Sequence, residues 1–376
     1  MVKCYLSFYL GGFHEVMYVK KTLALIYLVV FLLLPSFLTG CTSITKDQTE
    51  AKPVSETAFL MGTIAKITIY DEIEDKQIFQ KVFDRISEIE DRMTINEDNQ
   101  KSEVMQLNNS AGQAYSKLSQ DTFFVLEKGK YYSEISKGQF DITIGPLVKL
   151  WNIGTEKARV PKETEIQNTL PLISYENLLL DKENLSAKLN NSGMMVDLGG
   201  IAKGYAADEA AKILIEAGIQ HAIINLGGNI LTLNTKPDGS YYKLGLQDPL
   251  EPRGDYMGIV MLNNQALVSS GTYERYFELE GKRYHHILNS KTGYPEDNTI
   301  MSISIITKES IDADALSTTI FLLGLEEGMQ MIETLPSTEA IFITSDKKVY
   351  ISSGINDENF EIVKDEYQLQ KEVVTP

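Results

Sequence analysis

The 376-residue sequence predicts an α+β fold of antiparallel sheets with packed helices. Strand-like segments cluster after residue 220, and helical segments are interspersed with them. No internal repeat or low-complexity tract is present. A doubly wound parallel sheet would alternate strand and helix along the whole chain.

The first forty residues read as an address rather than as fold. Lys20-Lys21 precede an apolar run from Thr22 to Leu38, which ends in Leu38-Thr39-Gly40-Cys41. A basic flank, a short apolar core and small residues before a cleavage point make a secretory signal. The run holds Pro35 and is about 17 residues long, short for a bilayer span. Its Leu-x-Gly-Cys ending resembles a bacterial lipobox, in which the cysteine becomes the lipidated first residue. Residues 1–40 are therefore expected to be a signal peptide, with Cys41 lipid-anchored to the bacterial cell membrane. A plain N-terminal anchor is the alternative, and either reading puts the body outside the cytoplasm. Residues 1–16 look like an upstream extension, and Met17 is an alternative start.

Cys4 and Cys41 are the only cysteines, so the body offers no disulfide, thiolate metal site or cysteine nucleophile. The formal charge is −17, and removing residues 1–40, with three Lys and one Glu, makes it −19. That acidity argues against nucleic acid and against a polybasic membrane patch.

Residues 41–57, polar and with Pro53, read as a tether. The main domain is expected over 58–355, opening at Phe59-Leu60-Met61-Gly62. From Thr63 to Tyr70 the residues alternate, with Ala65, Ile67 and Ile69 on one face of a half-buried strand. Ile78, Val82, Ile86, Ile89 and Met93 then recur at helical spacing. A polar loop from Thr94 to Gln100 follows. Ser119 caps a helix to about Ser136, with Phe123, Phe124, Tyr131, Tyr132 and Ile135 as core contacts. Gly138 to Trp151 is an apolar loop, either the wall of a site or a structural crossover. Residues 155–192 carry weak signals for a small helix and a hairpin.

Val196 to Asp208 reads as a strand end, a glycine turn and a helix start. The helix is expected to bury Ala202, Ala206, Ala210, Ile213 and Ala217 and to stop at Gly218. His221–Asn225 is a strand leading to the turn Leu226-Gly227-Gly228-Asn229. Strands are expected at Tyr241–Gln247, Gly258–Leu262, Ala266–Ser269, Glu274–Leu279 and Arg283–Leu288, with a hairpin turn at Gly281-Lys282. After the loop Asn289–Pro295 come a strand at Met301–Thr307, a helix at Ile311–Leu323, a shorter helix from Leu325 and a strand at Ala340–Thr344. A hairpin through Asp346-Lys347 follows, and residues 356–376 read as a charged tail, loose after about Val363.

Two stretches carry chemistry. At Val196–Asp208, Gly199 and Gly200 permit close approach, the helix start presents amide groups to an anion, and Lys203 adds a positive charge. Asp197 stands at the strand end, where it can accept hydrogen bonds from a ligand. The pattern is neither G-x-G-x-x-G nor a P-loop, and an ordinary strand-to-helix turn remains open. The second stretch is the helix from Ile311, where Asp314 and Thr318 share one face at i and i+4. A carboxylate on so apolar a helix needs a partner or a metal, and these oxygens suit Mg2+ or Ca2+. A simple complement to the helix N-terminus is the other reading. Of His285 and His286, adjacent on a strand, only one can face a cleft; a structural histidine is one reading there, and proton transfer near neutral pH is the other.

Seven pieces in order resemble the ApbE family of FAD:protein FMN transferases. They are Met61-Gly62-Thr63, Phe140 to Val148, Val196 to Tyr205, Asn225 to Asn229, Ser269-Ser270-Gly271, the His286-to-Pro295 loop and Ala313 to Thr318. The resemblance covers about residues 58–350. It implies a T-fold-related architecture with the active site in a cleft between two subdomains. It implies transfer of FMN from FAD to a Thr or Ser hydroxyl of an exported or membrane redox protein, releasing AMP. FAD contacts are implied for Met61, Asn96, Gln139, Phe140, Asp141, Asp197, Lys203 and His286. Mg2+ is implied on the Gly200 carbonyl, Asp314 and Thr318, and catalysis is implied for His286 and Asp314, with His286 as the base. One departure stands out: where relatives usually carry a flavin-stacking aromatic, this chain has Ile95-Asn96. An FAD pyrophosphatase or a flavin-binding lipoprotein without transfer activity is the alternative.

Overall fold

The computed structural model describes residues 52–96, 98–99 and 101–370; the expected signal, the lipobox and Cys41 lie outside the described residues. Among these residues no helix is long and apolar enough to cross a membrane.

The first two strands, β1 (Val54–Leu60) and β2 (Thr63–Ile69), pair antiparallel in full register. Met61 and Gly62 connect them at positive φ, 53° and 68°, the conformation that matches strand twist in a two-residue turn. Val54–Thr57 thus belong to a sheet, not to the tether expected there. Their polar side chains face outward on an edge strand, and composition alone does not distinguish such a strand from a linker.

Helix α1 (Gln77–Met93) buries Ile78, Val82, Ile86, Ile89 and Met93, as its spacing requires. Helix α2 (Glu103–Asn109) was not anticipated; its cap is Ser102, whose Oγ accepts from the Met105 amide at 3.0 Å. Helix α3 (Gln120–Ile135) starts at the expected cap Ser119. Phe124 and Tyr131, expected in the core, are 39% and 47% exposed. The helix turns Phe123, Leu126 and Tyr132 inward, and two neighbouring aromatics cannot both follow one face.

Strand β3 (Ser116–Lys117) pairs with the hairpin β4 (Leu178–Asp181) and β5 (Ser186–Leu189). The apolar stretch before it folds as helix α4 (Gly145–Trp151), followed by α5 (Glu163–Thr169). Helix α6 (Ala202–Glu216) buries Ala202, Ala206, Ala210 and Leu214; Leu214 takes the place expected for Ile213, and Ala217 is exposed.

Strands β6 (Ala222–Leu226) and β7 (Asn229–Leu233) meet at Gly227-Gly228. Next come β8 (Tyr242–Gln247), β9 (Tyr256–Leu262) and β10 (Ala266–Gly271). A separate hairpin joins β11 (Tyr276–Leu279) to β12 (Lys282–His285), with its turn at Glu280-Gly281, one residue earlier than expected. Strand β13 (Ile300–Thr307) leads into helix α7 (Ser310–Thr334), which kinks at Gly324 (φ 79°, ψ −178°), the expected break before Leu325. Strands β14 (Glu339–Thr344), β15 (Lys348–Ile351), β16 (Phe360–Ile362) and β17 (Gln368–Gln370) complete the chain.

The main sheet has nine strands in the order β1-β2-β6-β7-β10-β13-β14-β15-β17. All its pairs are antiparallel except β15 with β17. One face packs on α1, α6 and α7, forming the principal core. A second core, with Val260, Ile306 and Ile343, lies under the three-stranded sheet β16-β9-β8. Strand β13 lies between these layers and is buried on both faces, with Ser302 and Ser304 among its isoleucines. The tail expected to be loose is therefore folded into both sheets. Phe360 and Tyr367 anchor it, and Lys364 and Tyr367 both donate to the buried Asp248 at 2.6 Å.

The crossing of α6 and α7 places the candidate site. Asp208 on α6 accepts from the Ser310 and Ile311 amides, both at 2.8 Å, and so caps α7 from outside that helix. Burial pushes its carboxyl up to about 7, against the lowering effect of the two amides. One turn earlier, a Cβ on Gly204 would lie 2.3 Å from the Ser310 carbonyl oxygen and 2.6 Å from the Ile311 Cα. Alanine normally favours a helix interior over glycine by about 1 kcal/mol. Here overlap with backbone dominates, so Gly204→Ala should lower stability by about 1–3 kcal/mol. A denaturant midpoint that rises on this substitution would refute the close-crossing account.

Candidate active site

At one end of the nine-stranded sheet lies a cavity of about 440 Å³. The β1–β2 turn, the segment around Phe140, the Asp197–Lys203 turn, the start of β7, the residues flanking the β11–β12 hairpin and α7 all contribute to its wall. The residues from Lys52 onward form one unit, so the expected cleft lies within it. It opens where the sheet end meets a small lobe built around Trp151, whose core includes Leu147, Ile166 and Leu288.

The glycine turn is fastened by its own aspartate. Asp197 Oδ1 accepts from the Gly199 amide at 2.7 Å, while the Asp197 amide donates to the Ile142 carbonyl at 2.8 Å. Burial raises the Asp197 carboxyl above the usual range; the Gly199 amide, Arg275 and Lys149 pull the other way.

The helix start that follows does attract an anion, and that anion is Asp314. Its Oδ2 accepts from the Gly204 amide at 2.9 Å, and its Oδ1 from Lys203 Nζ at 3.2 Å. Asp314 is only 3% exposed, so this pairing satisfies a carboxylate that would otherwise be costly to bury. Lys203 is thus not the free cation expected from the sequence. The fold brings Gly200 next to the distant Thr318: a Cβ there would lie 3.5 Å from Thr318 Oγ1 and 3.1 Å from the Phe140 ring. Gly200, Asp314 and Thr318 all line the cavity. Among the described residues no cluster of three His, Cys, Asp or Glu side chains is present. Asp314 thus brings one carboxylate and Thr318 one hydroxyl to the part of the wall that Gly200 lines.

The Gln139–Asp141 segment divides its labour. Phe140 is a buried wall, and Gln139 reaches the cavity with its Oε1 buried and without a hydrogen-bond partner. Asp141 instead builds its own loop. Its Oδ1 accepts from the Thr143 amide (2.8 Å) and hydroxyl (2.7 Å), and its Oδ2 accepts from the Tyr175 amide (2.9 Å). Burial nevertheless holds its carboxyl above the usual range. Met61 forms the turn while its neighbours Gly62 and Thr63 line the wall. Asn96 is exposed in a loop outside the lining residues, and its Oδ1 accepts from the Asp98 amide at 3.2 Å.

The two histidines separate as strand alternation requires. His285 faces inward against Phe321; its Nδ1 accepts from the Ile287 amide (3.3 Å), so its Nε2 donates to the Glu296 carbonyl (2.8 Å). His286 faces the cavity with Nδ1 buried and unpartnered. Burial, then the charges of Arg275, His285 and Lys203, push it down to about 3.

Several wall residues had no signature in the sequence. Asn229 is 2% exposed; its Oδ1 accepts from Ser310 Oγ at 2.7 Å, and its Nδ2 has no partner. It belongs to the recognised Gly-Gly-Asn turn, but only the tertiary contact with Ser310 reveals the unpaired donor. Arg253, Glu274 and Arg275 also line the cavity. Four carboxylates (Asp141, Asp197, Glu274 and Asp314) thus face three basic groups (Lys203, Arg253 and Arg275).

The histidine has a measurable consequence for stability. The unfolded chain takes up a proton at His286 near pH 6.5, whereas the folded chain resists until about pH 3. The stability from keeping it neutral is complete above pH 6.5 and is lost as pH falls towards 3. Thermal unfolding between pH 4 and 7 should show a shallower acid-side loss in His286→Asn than in the parent. Equal slopes would disprove it.

The ApbE family model matches residues 61–342. The chain is 37% identical over 299 residues to the FAD:protein FMN transferase of Klebsiella pneumoniae (strain 342), covering 80% of this chain and 92% of the relative. It is 32% identical over 320 residues to that of Treponema pallidum (strain Nichols), covering 81% and 88%. Among solved structures, the ApbE protein of Thermotoga maritima aligns with a TM-score of 0.74 at 28% identity, covering 80% of this chain and 97% of that one. The flavin transferase ApbE of Vibrio cholerae aligns at 0.72 with 26% identity, covering 81% and 98%. With a family match over most of its length and the cavity formed by the matching stretches, this chain belongs to the ApbE family.

Proposed function

We propose that this protein is an FAD:protein FMN transferase, moving FMN from FAD to a Thr or Ser hydroxyl of a partner protein and releasing AMP. The observation that carries the reading is where the unpaired polar atoms lie. Among the described residues, the buried side-chain atoms without a partner are Gln139 Oε1, Asn229 Nδ2 and His286 Nδ1. All three residues line the one cavity. Leaving such a group unpaired costs about 1–3 kcal/mol each, so three in one cavity mark a place completed by a polar ligand. The names of the relatives supply which ligand class to test first.

The wall chemistry suits a dinucleotide cut at its pyrophosphate. Phosphoryl transfer asks mainly for positioning and for charge neutralisation. Gly200, Asp314 and Thr318 would hold Mg2+, since carbonyl, carboxylate and hydroxyl oxygens are ligands for a hard ion. The bound ion would supply positive charge that a wall with four carboxylates lacks. Lys203, which donates directly to Asp314 Oδ1, would neutralise a phosphate once Asp314 has another partner.

His286 is the base. Its proton affinity is low because burial and positive neighbours oppose the imidazolium. Anionic phosphates beside it offset those positive charges and raise that affinity. The imidazole then takes the proton of the acceptor hydroxyl as that oxygen bonds to the FMN phosphorus. The bond from phosphorus to the bridging oxygen breaks, and AMP departs with that oxygen. Export and a lipid anchor at Cys41 are part of the same proposal, supported by the pattern of residues 20–41.

Incubation with FAD, Mg2+ and a candidate acceptor protein should yield flavin fluorescence that survives denaturation, with AMP in equal amount. A chelator should abolish the labelling, and Asp314→Ala should bring it to background. His286→Ala should slow it by about 100-fold or more. Free FMN without protein-linked flavin would turn the assignment to an FAD pyrophosphatase. Binding of FAD without AMP release would make the protein a flavin carrier.

A further inference from the structure

We infer that Arg275 is the side chain that grips the pyrophosphate of FAD. The inference rests on the flavin reading above and identifies the cation in the cavity wall that can meet the substrate without first leaving an ion pair. Of the three basic residues in the wall, Lys203 is paired with Asp314 at 3.2 Å and Arg253 with Glu274 at 3.2 Å. The Arg275 guanidinium has no ion-pair or hydrogen-bond partner among the described residues.

Its placement is built rather than incidental. The hairpin pairs Tyr276 with His285, and the next rung joins the Arg275 carbonyl to the His286 amide at 3.0 Å. The guanidinium and the imidazole therefore leave adjacent strands at the same level of the cavity. Two glycines give the side chain its path. A Cβ on Gly154 would lie 3.6 Å from Arg275 Cδ, and one on Gly62 would lie 3.9 Å from Nη2. Both glycines have positive φ, 87° and 68°, in turns that other residues adopt only with strain. The arginine thus runs from the Trp151 lobe across to the β1–β2 turn, over the cavity wall.

An arginine fork donates two parallel hydrogen bonds to phosphate oxygens, which lysine cannot reproduce. Asp197, the nearby anion, already has Oδ1 engaged by Gly199. The unpartnered His286 Nδ1 beside it is an independent sign that a ligand fills this part of the cavity. A diphosphate diester held by Arg275 would lie next to the base, where the reacting phosphorus has to be.

The test is equilibrium binding of FAD, FMN and riboflavin at fixed Mg2+, followed by flavin fluorescence, for the parent, Arg275→Met and Arg275→Lys. Thermal unfolding checks that the exposed position leaves the fold intact. Arg275→Met should weaken FAD by about 10- to 100-fold and leave riboflavin unchanged, since riboflavin has no phosphate. Arg275→Lys should recover part of the loss by restoring the charge without the fork. If Arg275→Met binds FAD as the parent does, or loses riboflavin in proportion, the residue is a solvated or packing arginine and the inference is overturned. If the parent itself binds FAD no more tightly than riboflavin, the failure lies with the flavin dinucleotide reading on which the inference rests.

Discussion

The buried carboxylate of Asp314 is the contact on which the site depends. It lies on an otherwise apolar stretch of α7 and is satisfied only at the first turn of α6, by the Gly204 amide and Lys203. That contact requires the two helices to cross almost backbone to backbone, which is why Gly204 has no room for a side chain. Asp208 reinforces the crossing by capping α7 from α6. With the helices locked in this register, Gly200 lies beside Thr318, and the two distant motifs become one wall.

The same contact sets the electrostatic state of the cavity. Lys203 is occupied, Arg253 is tied to Glu274, and the wall carries more carboxylates than cations. Such a wall by itself offers an anionic ligand little net attraction. Meanwhile His286 is neutral and only weakly basic. Proton affinity at His286 and the binding of any anion in the cavity are therefore coupled through shared charges, a coupling that follows from burial and Coulomb attraction rather than from any moving part.

Much of the fold was legible because periodicity reports burial directly. The β2 alternation, the α1 stripe, the Ser119 cap and the break before Leu325 all appear where the residues place them. The misses share one cause, which is that composition describes a residue and not its neighbour. Residues 54–57 look like a linker because an edge strand has a solvated face. The tail looks loose because its charges outnumber the two aromatics, Phe360 and Tyr367, that anchor it. Phe124 and Tyr131 look like core, yet the helix has already used its inward face.

For the site, the sequence by itself determined which chemistry is available: a glycine turn at a helix start, an aspartate out of place on an apolar helix, and a histidine pair on a strand. It also determined that only one of His285 and His286 can reach a cleft, since successive strand residues point to opposite faces. Tertiary structure alone decided how these groups are spent. Asp314 occupies the anion position that the α6 start seemed to offer a ligand, so Lys203 is paired, while the Arg275 guanidinium has no partner among the described residues. Asp141 serves its own loop, while Asn229 presents a donor with no partner. Those outcomes turn on contacts between residues tens to more than a hundred positions apart, and a pattern read along one chain carries no information about which distant group arrives first.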